Sequence, residues 1–109
     1  MCLQQEANVY LYSMKMLAII QNKLKQIKPE LESKYHVSSI GLFGSIVRDD
    51  FTDKSDIDII VDFSAPIGIE FIDLANELEA LCNRKVDLVS KNGIKPGYMK
   101  LIQPEIIYV

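Results

Sequence analysis

The sequence predicts an α+β fold, more specifically an α/β two-layer arrangement in which a small mixed β-sheet is flanked by helices. Two stretches place apolar residues at helical spacing, 14–31 and 69–82. Three shorter apolar stretches have the character of strands, 40–43, 56–63 and 85–89. This mixture of helical and strand patterns is the basis of the predicted fold class.

Composition limits the chain to one domain and argues against one functional class. Its 109 residues are 49% hydrophobic, which suits one modest packed core. We expect 1–13 to be an N-terminal extension or the first turns of a helix, and 14–109 to be the single domain. The net charge is −3 and no basic stripe is present, which argues against direct nucleic-acid binding.

The cysteines and the apolar patch near the N-terminus favour a cytoplasmic protein. Cys2 and Cys82 are far apart and lack metal-ligand spacing, so we expect two free thiols in a reducing compartment. The apolar patch at 9–20 is interrupted by Ser13 and Lys15, and it is too short to span a membrane. No secretory cleavage signal accompanies it.

The first helical pattern begins at about Met14. Its apolar stripe steps by three and four residues and comprises Leu17, Ile20, Leu24, Ile27 and Leu31. Pro29 lies inside the pattern, where it predicts either a kink or the start of a second helix. Four lysines are expected on a solvated face, Lys23, Lys25, Lys28 and Lys34. His36, the only histidine, is expected in a loop.

A Gly-Ser pair follows the first predicted strand, which contains Ile40, Leu42 and Phe43. Gly44 tolerates a positive φ and lets the backbone approach a ligand closely. Ser45 is a favourable N-cap, so we expect a short helix over 46–51. A helix N-terminus attracts anions, and Arg48 adds a charged donor one turn later. Gly44, Ser45 and Arg48 therefore predict a phosphate-binding turn, although a Gly-Ser pair alone is also typical of an ordinary turn.

Two aspartates lie in the strand predicted over 56–63. Because side chains alternate along a strand, Asp56 and Asp58 share one face while the apolar residues point to the core. Their Cα atoms are expected roughly 6.5 to 7 Å apart, so both carboxylates can reach one cation. Oxygen ligands of this kind suit Mg²⁺, which completes its shell with phosphates and water. A strand-entry role for Asp56 and a solvated edge face for the pair stay open, and Asp62 is expected outside the metal site.

A third carboxylate lies in the last predicted strand. The helix predicted over 69–82 is followed by the strand at 85–89, in which Asp87 points away from the core. If this strand lies beside the 56–63 strand, Asp87 joins the other two aspartates; otherwise it is an ordinary solvated side chain. The remaining residues, 94–109, are expected to form a short helix and an extended apolar tail, packed on the sheet or on a partner.

The Gly-Ser pair, the ten residues after it and the Asp-Ile-Asp that follows resemble the signature of the DNA polymerase β-type nucleotidyltransferase superfamily. The short chain and the sequence motif GLFGS…R…SDIDIIVDF resemble its minimal nucleotidyltransferase (MNT) branch. The resemblance extends from about residue 17 to the C-terminus. The resemblance implies the nucleotidyltransferase fold, and it implies that Asp87 completes a metal-binding triad with Asp56 and Asp58. The family often has glycine after the motif's arginine, where this chain has Asp49.

The resemblance also implies an enzyme that moves AMP from ATP to a hydroxyl group. Asp56 and Asp58 are expected to hold two Mg²⁺ ions, and Asp87 to share one of them or act as a base. The Gly-Ser turn is expected to hold the β- and γ-phosphates. The implied acceptor is a tyrosine of a cognate HEPN-domain toxin, which would make the protein an antitoxin in a hetero-oligomer. Two alternatives stay open: an antitoxin that acts by binding alone, and a subunit that modifies a small molecule.

Overall fold

The structure, a computed structural model, describes residues 3–109, with side chains described from residue 8 onward. Within that part of the chain there are three α-helices and four β-strands. The helices are α1 (Leu3–Tyr35), α2 (Glu70–Cys82) and α3 (Pro96–Ile102). The strands are β1 (Val37–Phe43), β2 (Ile57–Phe63), β3 (Val86–Ser90) and β4 (Ile107–Tyr108). The predicted α+β class is confirmed.

The four strands form one mixed sheet in the order β3-β2-β1-β4. β1 runs antiparallel to β2 and β4, whereas β2 and β3 are parallel. α2 supplies the crossover that two parallel strands require. The C-terminal tail joins the sheet as β4, and the Val109 N–H donates to the Ile40 carbonyl at 2.9 Å. The tail therefore packs on the sheet, as one of the two alternatives predicted.

The first helix is longer than its apolar stripe indicates, because it begins at Leu3 and continues through Pro29 to Tyr35. The prediction of a second helix starting at Pro29 is therefore wrong. A proline inside a helix costs about 3 kcal/mol, but Leu24 and Leu31, on either side of it, are fully buried and hold the helix on the core. The division between an extension over 1–13 and a domain over 14–109 stays a prediction. No helix among the described residues is long and apolar enough to cross a membrane.

The main core lies between the sheet and the two longer helices. From β2 it receives Ile57, Ile59 and Val61, which share the predicted inward face. α1 contributes its buried stripe, and α2 contributes Leu74 and Leu78. Cys82 is a buried free cysteine at the end of α2, as predicted, whereas Cys2 lies outside the described residues.

The opposite face of the sheet carries a second, smaller core that the sequence pattern did not predict. Phe43, Ile60 and Ile102 are buried together there, so α3 covers part of the face that also carries the aspartates.

Two of the four lysines that we expected on a solvated face are half-buried and contact backbone carbonyls, so that prediction is wrong for them. Lys23 Nζ donates to the Leu81 carbonyl at 3.2 Å, and Lys28 Nζ donates to the Val109 carbonyl at 2.7 Å. Lys34 forms an exposed ion pair with a glutamate of α2. These lysines connect α1 to α2 and to the C-terminal tail, which local sequence spacing does not reveal. His36 lies between α1 and β1, as predicted for a loop residue.

Candidate active site

The turn after β1 brings the backbone against a carboxylate. Gly44 has φ +78°, a conformation that favours glycine, and a Cβ placed there would overlap the Asp58 Oδ2 atom. The same Cβ would lie 2.9 Å from Asp58 Cγ, so a small side chain has no room. Both the conformation and the space at position 44 therefore require glycine, and they fix this turn directly beside Asp58.

The short helix after the turn differs from the prediction. It is a 3-10 helix over Gly44–Val47, preceded by Phe43, and no side chain caps it. Ser45 is thus its second residue rather than its N-cap, and 46–51 is not a helix. The helix ends early because Asp49 has φ +71° and Phe51 is drawn fully into the core. Four residues of 3-10 helix add little dipole, so the turn's ability to bind an anion depends on individual donors.

The aspartates of β2 and β3 meet across the parallel strand pair. Asp58 and Asp87 are direct Cα partners in that pair, and adjacent strands lie about 4.8 Å apart. Asp56 immediately precedes β2 and is exposed, as Asp87 is, whereas Asp58 is half-buried. The structure therefore places β3 beside β2, which is the condition under which we expected Asp87 to join the other two aspartates.

Asp58 lies near other carboxylates, and their negative charges affect its pKa. Burial, followed by the negative charges of Asp87 and Asp56, raises its pKa from 3.8 to about 6. Arg48 offsets part of this rise, and Glu105 adds to it. A cation placed among these groups would reverse the repulsion that raises the pKa.

The donor set suits a hard cation. Aspartate oxygens are the ligands that Mg²⁺ prefers, and Mg²⁺ commonly takes one or two carboxylates and fills its shell with phosphates and water. Among the side chains that the structure describes, no three acidic, histidine or cysteine groups are gathered closely enough to enclose a metal ion. The arrangement of Asp58 and Asp87 therefore fits an open Mg²⁺ site more closely than an all-protein cage.

Arg48 lies near the turn, as predicted, but it is paired with a residue that the sequence analysis missed. Its Nη1 atom lies 3.3 Å from Oε1 and 3.4 Å from Oε2 of Glu105. The backbone N–H of Gly44 donates to the same Oε1 atom at 3.2 Å. Glu105 belongs to the 3-10 turn Gln103–Glu105, 57 residues after Arg48, so no local pattern indicated this contact.

Arg84 is a second residue that the sequence analysis did not single out. Its Nη1 atom donates, at 2.9 to 3.4 Å, to three carbonyl oxygens in the loop before β2, those of Thr52, Asp53 and Ser55. Its Nη2 atom donates to the Tyr12 hydroxyl at 2.7 Å, and its guanidinium lies 4.9 Å from the centre of the Phe51 ring. Arg84 thus fixes the loop that leads into Asp56.

Asp62 lies on the same face of β2 as Asp58 but four residues further along the chain. One of its carboxylate oxygens accepts a hydrogen bond from the Phe63 N–H at 3.0 Å. In the sheet it is the partner of Ser39 rather than of a carboxylate. Asp62 therefore provides a matched comparison for experiments on Asp58.

Comparisons with known proteins identify similar sequences and folds. Residues 25–108 match the family described as polymerase beta, nucleotidyltransferase. The protein adenylyltransferase MntA of Thermococcus cleftensis is 43% identical over 91 residues, which cover 83% of this chain and 92% of that protein. MJ0126 of Methanocaldococcus jannaschii, a candidate protein adenylyltransferase, is 44% identical over 98 residues, covering 88% of this chain and all of that protein.

Two solved structures share the fold. A candidate minimal nucleotidyltransferase superimposes with a TM-score of 0.72 and 25% identity, over 84% of this chain and 93% of that chain. A chain of the complex between a tri-AMPylated Shewanella oneidensis HEPN toxin and an MNT antitoxin superimposes with a TM-score of 0.58 and 26% identity. That match covers 81% of this chain and 68% of the other.

Proposed function

Because this chain belongs to the polymerase beta nucleotidyltransferase family, we propose that it transfers AMP from ATP to a protein hydroxyl group, with Mg²⁺ as cofactor. We further propose that the acceptor is a tyrosine of a HEPN-domain toxin, and that the modification neutralises the toxin. A cytoplasmic location, where ATP and the partner are available, belongs to the same proposal. Family membership confirms the resemblance seen in the sequence and the enzyme class, a nucleotidyltransferase.

One observation carries the proposal: Asp58 is the direct strand partner of Asp87, and Gly44 packs against the Asp58 carboxylate. Two carboxylates beside a backbone turn can bind a cation on one side and phosphate oxygens on the other. The names of the relatives support the reaction, since MntA of Thermococcus cleftensis is a protein adenylyltransferase. The complex of an AMPylated HEPN toxin with an MNT antitoxin supports the acceptor.

Each residue has a distinct task in the proposed reaction. Asp56 and Asp58 would hold Mg²⁺, with two ions expected, and Asp87 would help to hold one ion or accept the proton of the attacking hydroxyl. When bound, Mg²⁺ would neutralise charge on the phosphates and lower the pKa of the nucleophile. Gly44 and Ser45 hold the β- and γ-phosphates, which leave as pyrophosphate, and Arg48 assists them. The hydroxyl oxygen forms its bond to the α-phosphorus on the side opposite the leaving pyrophosphate.

The test uses ATP labelled at the α- or the γ-phosphate, together with the proposed HEPN-domain partner protein. We expect label on the partner from α-labelled ATP and none from γ-labelled ATP. Asp58→Asn is expected to abolish labelling, whereas Asp62→Asn, a matched change on the same strand face, retains it. Label arriving from the γ-position would indicate a kinase and contradict the proposal.

The same experiment separates modification from simple binding. If the wild-type protein forms a stable complex with the partner and protects cells from it but transfers no label, neutralisation occurs by occlusion. Protection by Asp58→Asn equal to that of the wild type would favour the same conclusion. The first result would reject the enzymatic proposal and the second would show that neutralisation does not need transfer, and both retain the partner.

A further inference from the structure

We propose that Glu105 occupies the place of a nucleotide phosphate, so that ATP must displace its carboxylate to bind. This inference rests on the proposed function, because it concerns the phosphate-binding turn of the same site. The residues that the sequence assigned to phosphate are Gly44, Ser45 and Arg48, and two of these three contact Glu105 instead. An internal carboxylate at this position would set the affinity of the site for nucleotide.

The geometry at Glu105 is that of an anion in a small binding site. Its Oε1 atom accepts from the Gly44 N–H at 3.2 Å and lies 3.3 Å from Arg48 Nη1. A phosphate oxygen makes the same two kinds of contact, with a backbone N–H at a turn and with a guanidinium. The carboxylate is partly buried, since the Glu105 side chain is only 23% exposed whereas that of Arg48 is 54% exposed.

The chain around Glu105 holds it in this position. The residue ends the 3-10 turn Gln103–Glu105, and the next residue, Ile106, packs on the small core under α3. Three residues earlier Ile102 is buried against the sheet, and four residues later the Val109 N–H donates to Ile40 in β1, so the chain on both sides of Glu105 is attached to the sheet. The backbone at Glu105 is therefore held in place, and only the Glu105 side chain has to move to admit a phosphate.

The charges at the site determine the direction of the effect. Glu105 adds to the negative charge of Asp56 and Asp87 that acts on Asp58. A nucleotide triphosphate entering this region meets that repulsion and must also break the contacts of Glu105 with Gly44 and Arg48. Removing the charge of Glu105 is therefore expected to strengthen binding of the triphosphate moiety and to leave recognition of the base unchanged.

The experiment measures binding by titration calorimetry on the protein without its partner, in Mg²⁺, with three probes: ATP, inorganic tripolyphosphate and adenosine. Glu105→Gln retains the side-chain shape and removes the charge. Glu30→Gln removes the same charge from an exposed position of α1 and serves as the control. We expect Glu105→Gln to bind ATP and tripolyphosphate about tenfold more tightly than the wild type, with adenosine unchanged and Glu30→Gln at the wild-type value.

Two results would overturn the inference while leaving the proposed function intact. Equal affinity for ATP in the wild type and Glu105→Gln would show that the carboxylate does not compete with phosphate. Weaker binding by Glu105→Gln would show that Glu105 helps to hold the nucleotide. If neither protein binds ATP, the proposed nucleotide site itself is rejected along with the inference.

A second variant, Arg48→Ala, is compared in the wild-type and Glu105→Gln backgrounds, so that an effect of this substitution on folding alone would be the same in both. Arg48→Ala removes a hydrogen-bond donor that could bind phosphate, and it also removes a contact that holds Glu105 in place. Because these two effects oppose each other, the change is expected to alter ATP affinity little in the wild-type background. In the Glu105→Gln background Arg48 is free to bind phosphate, and the same change is expected to weaken ATP binding about tenfold. Equal effects in the two backgrounds would contradict competition between Glu105 and phosphate for Arg48.

Discussion

At the scale of single residues, Gly44 is the glycine that the structure constrains most tightly. Its positive φ and its contact with Asp58 leave no room for a Cβ atom. We expect Gly44→Ala to lower AMP transfer at least a hundredfold and to reduce the free energy of unfolding by about 2 kcal/mol, since both backbone strain and displacement of the carboxylate follow. Gly93→Ala is the control, because a Cβ at Gly93 meets nothing within 4 Å. Similar losses in both variants would contradict this role for Gly44.

The raised pKa of Asp58 leads to a prediction about stability and pH. A carboxyl group whose pKa is higher in the folded chain, here about 6 against 3.8, favours folding while it is protonated. Its contribution is complete below about pH 4 and is lost as the pH rises through about 6. Without Mg²⁺, Asp58→Asn is therefore expected to be more stable than the wild type at pH 8 and equally stable at pH 4.

The size of this effect is limited because Asp58 is only half-buried. We expect a difference at pH 8 of about 1 kcal/mol, well below the unscreened value, since solvent screens an exposed group. Urea unfolding at the two pH values, in the presence of a chelator, measures it. Asp62→Asn provides the control, and a stability difference for Asp58→Asn that did not change between pH 4 and pH 8 would contradict the assigned cause.

At the scale of structural elements, Arg84 connects the loop before β2 to α1. Its guanidinium binds three loop carbonyls and the Tyr12 hydroxyl. We expect Arg84→Lys to lower the free energy of unfolding by about 2 kcal/mol, since a lysine cannot reproduce this set of contacts. Transfer should fall as well, because the loop delivers Asp56. Lys85→Ala, a change at the exposed neighbouring position, is the control, and chemical denaturation with an activity assay is the measurement.

The sequence predicted the elements well and the contacts between them less well. Alternation in 56–63 and helical spacing in 69–82 were sufficient to place β2 and α2, because these patterns follow from local geometry. The first turns of α1 were one of two alternatives that the sequence left open, because the residues before Met14 lack a clear apolar pattern. The pairing of Ile107 with β1 was not specified, since it joins residues far apart in the chain.

The candidate site shows the same limit. Gly44 and Asp58 were predicted from motif spacing and Asp87 from the family resemblance, and the structure brings the three residues together. Glu105 and Arg84 were missed because their partners lie between 29 and 72 residues away. Asp49 was noted as a departure from the family's glycine, and the structure gives it φ +71°, which aspartate tolerates better than most residues.

At the scale of the whole molecule, α1 determines the shape. The described chain measures 49 × 30 × 19 Å, and a 33-residue helix is about 50 Å long, so α1 spans the longest dimension. The early turns of α1 expose Tyr10, Leu11 and Met14. The hetero-oligomer predicted from the sequence stays a prediction.

The most direct test of the central claim is the intact mass of the HEPN-domain partner after incubation with this protein, ATP and Mg²⁺. The account predicts mass increments of AMP on the partner with the wild type and with Asp62→Asn, and none with Asp58→Asn. It also predicts that the increments lie on tyrosine. A partner that forms the complex but keeps its original mass with the wild type, or gains AMP equally with Asp58→Asn, would contradict it.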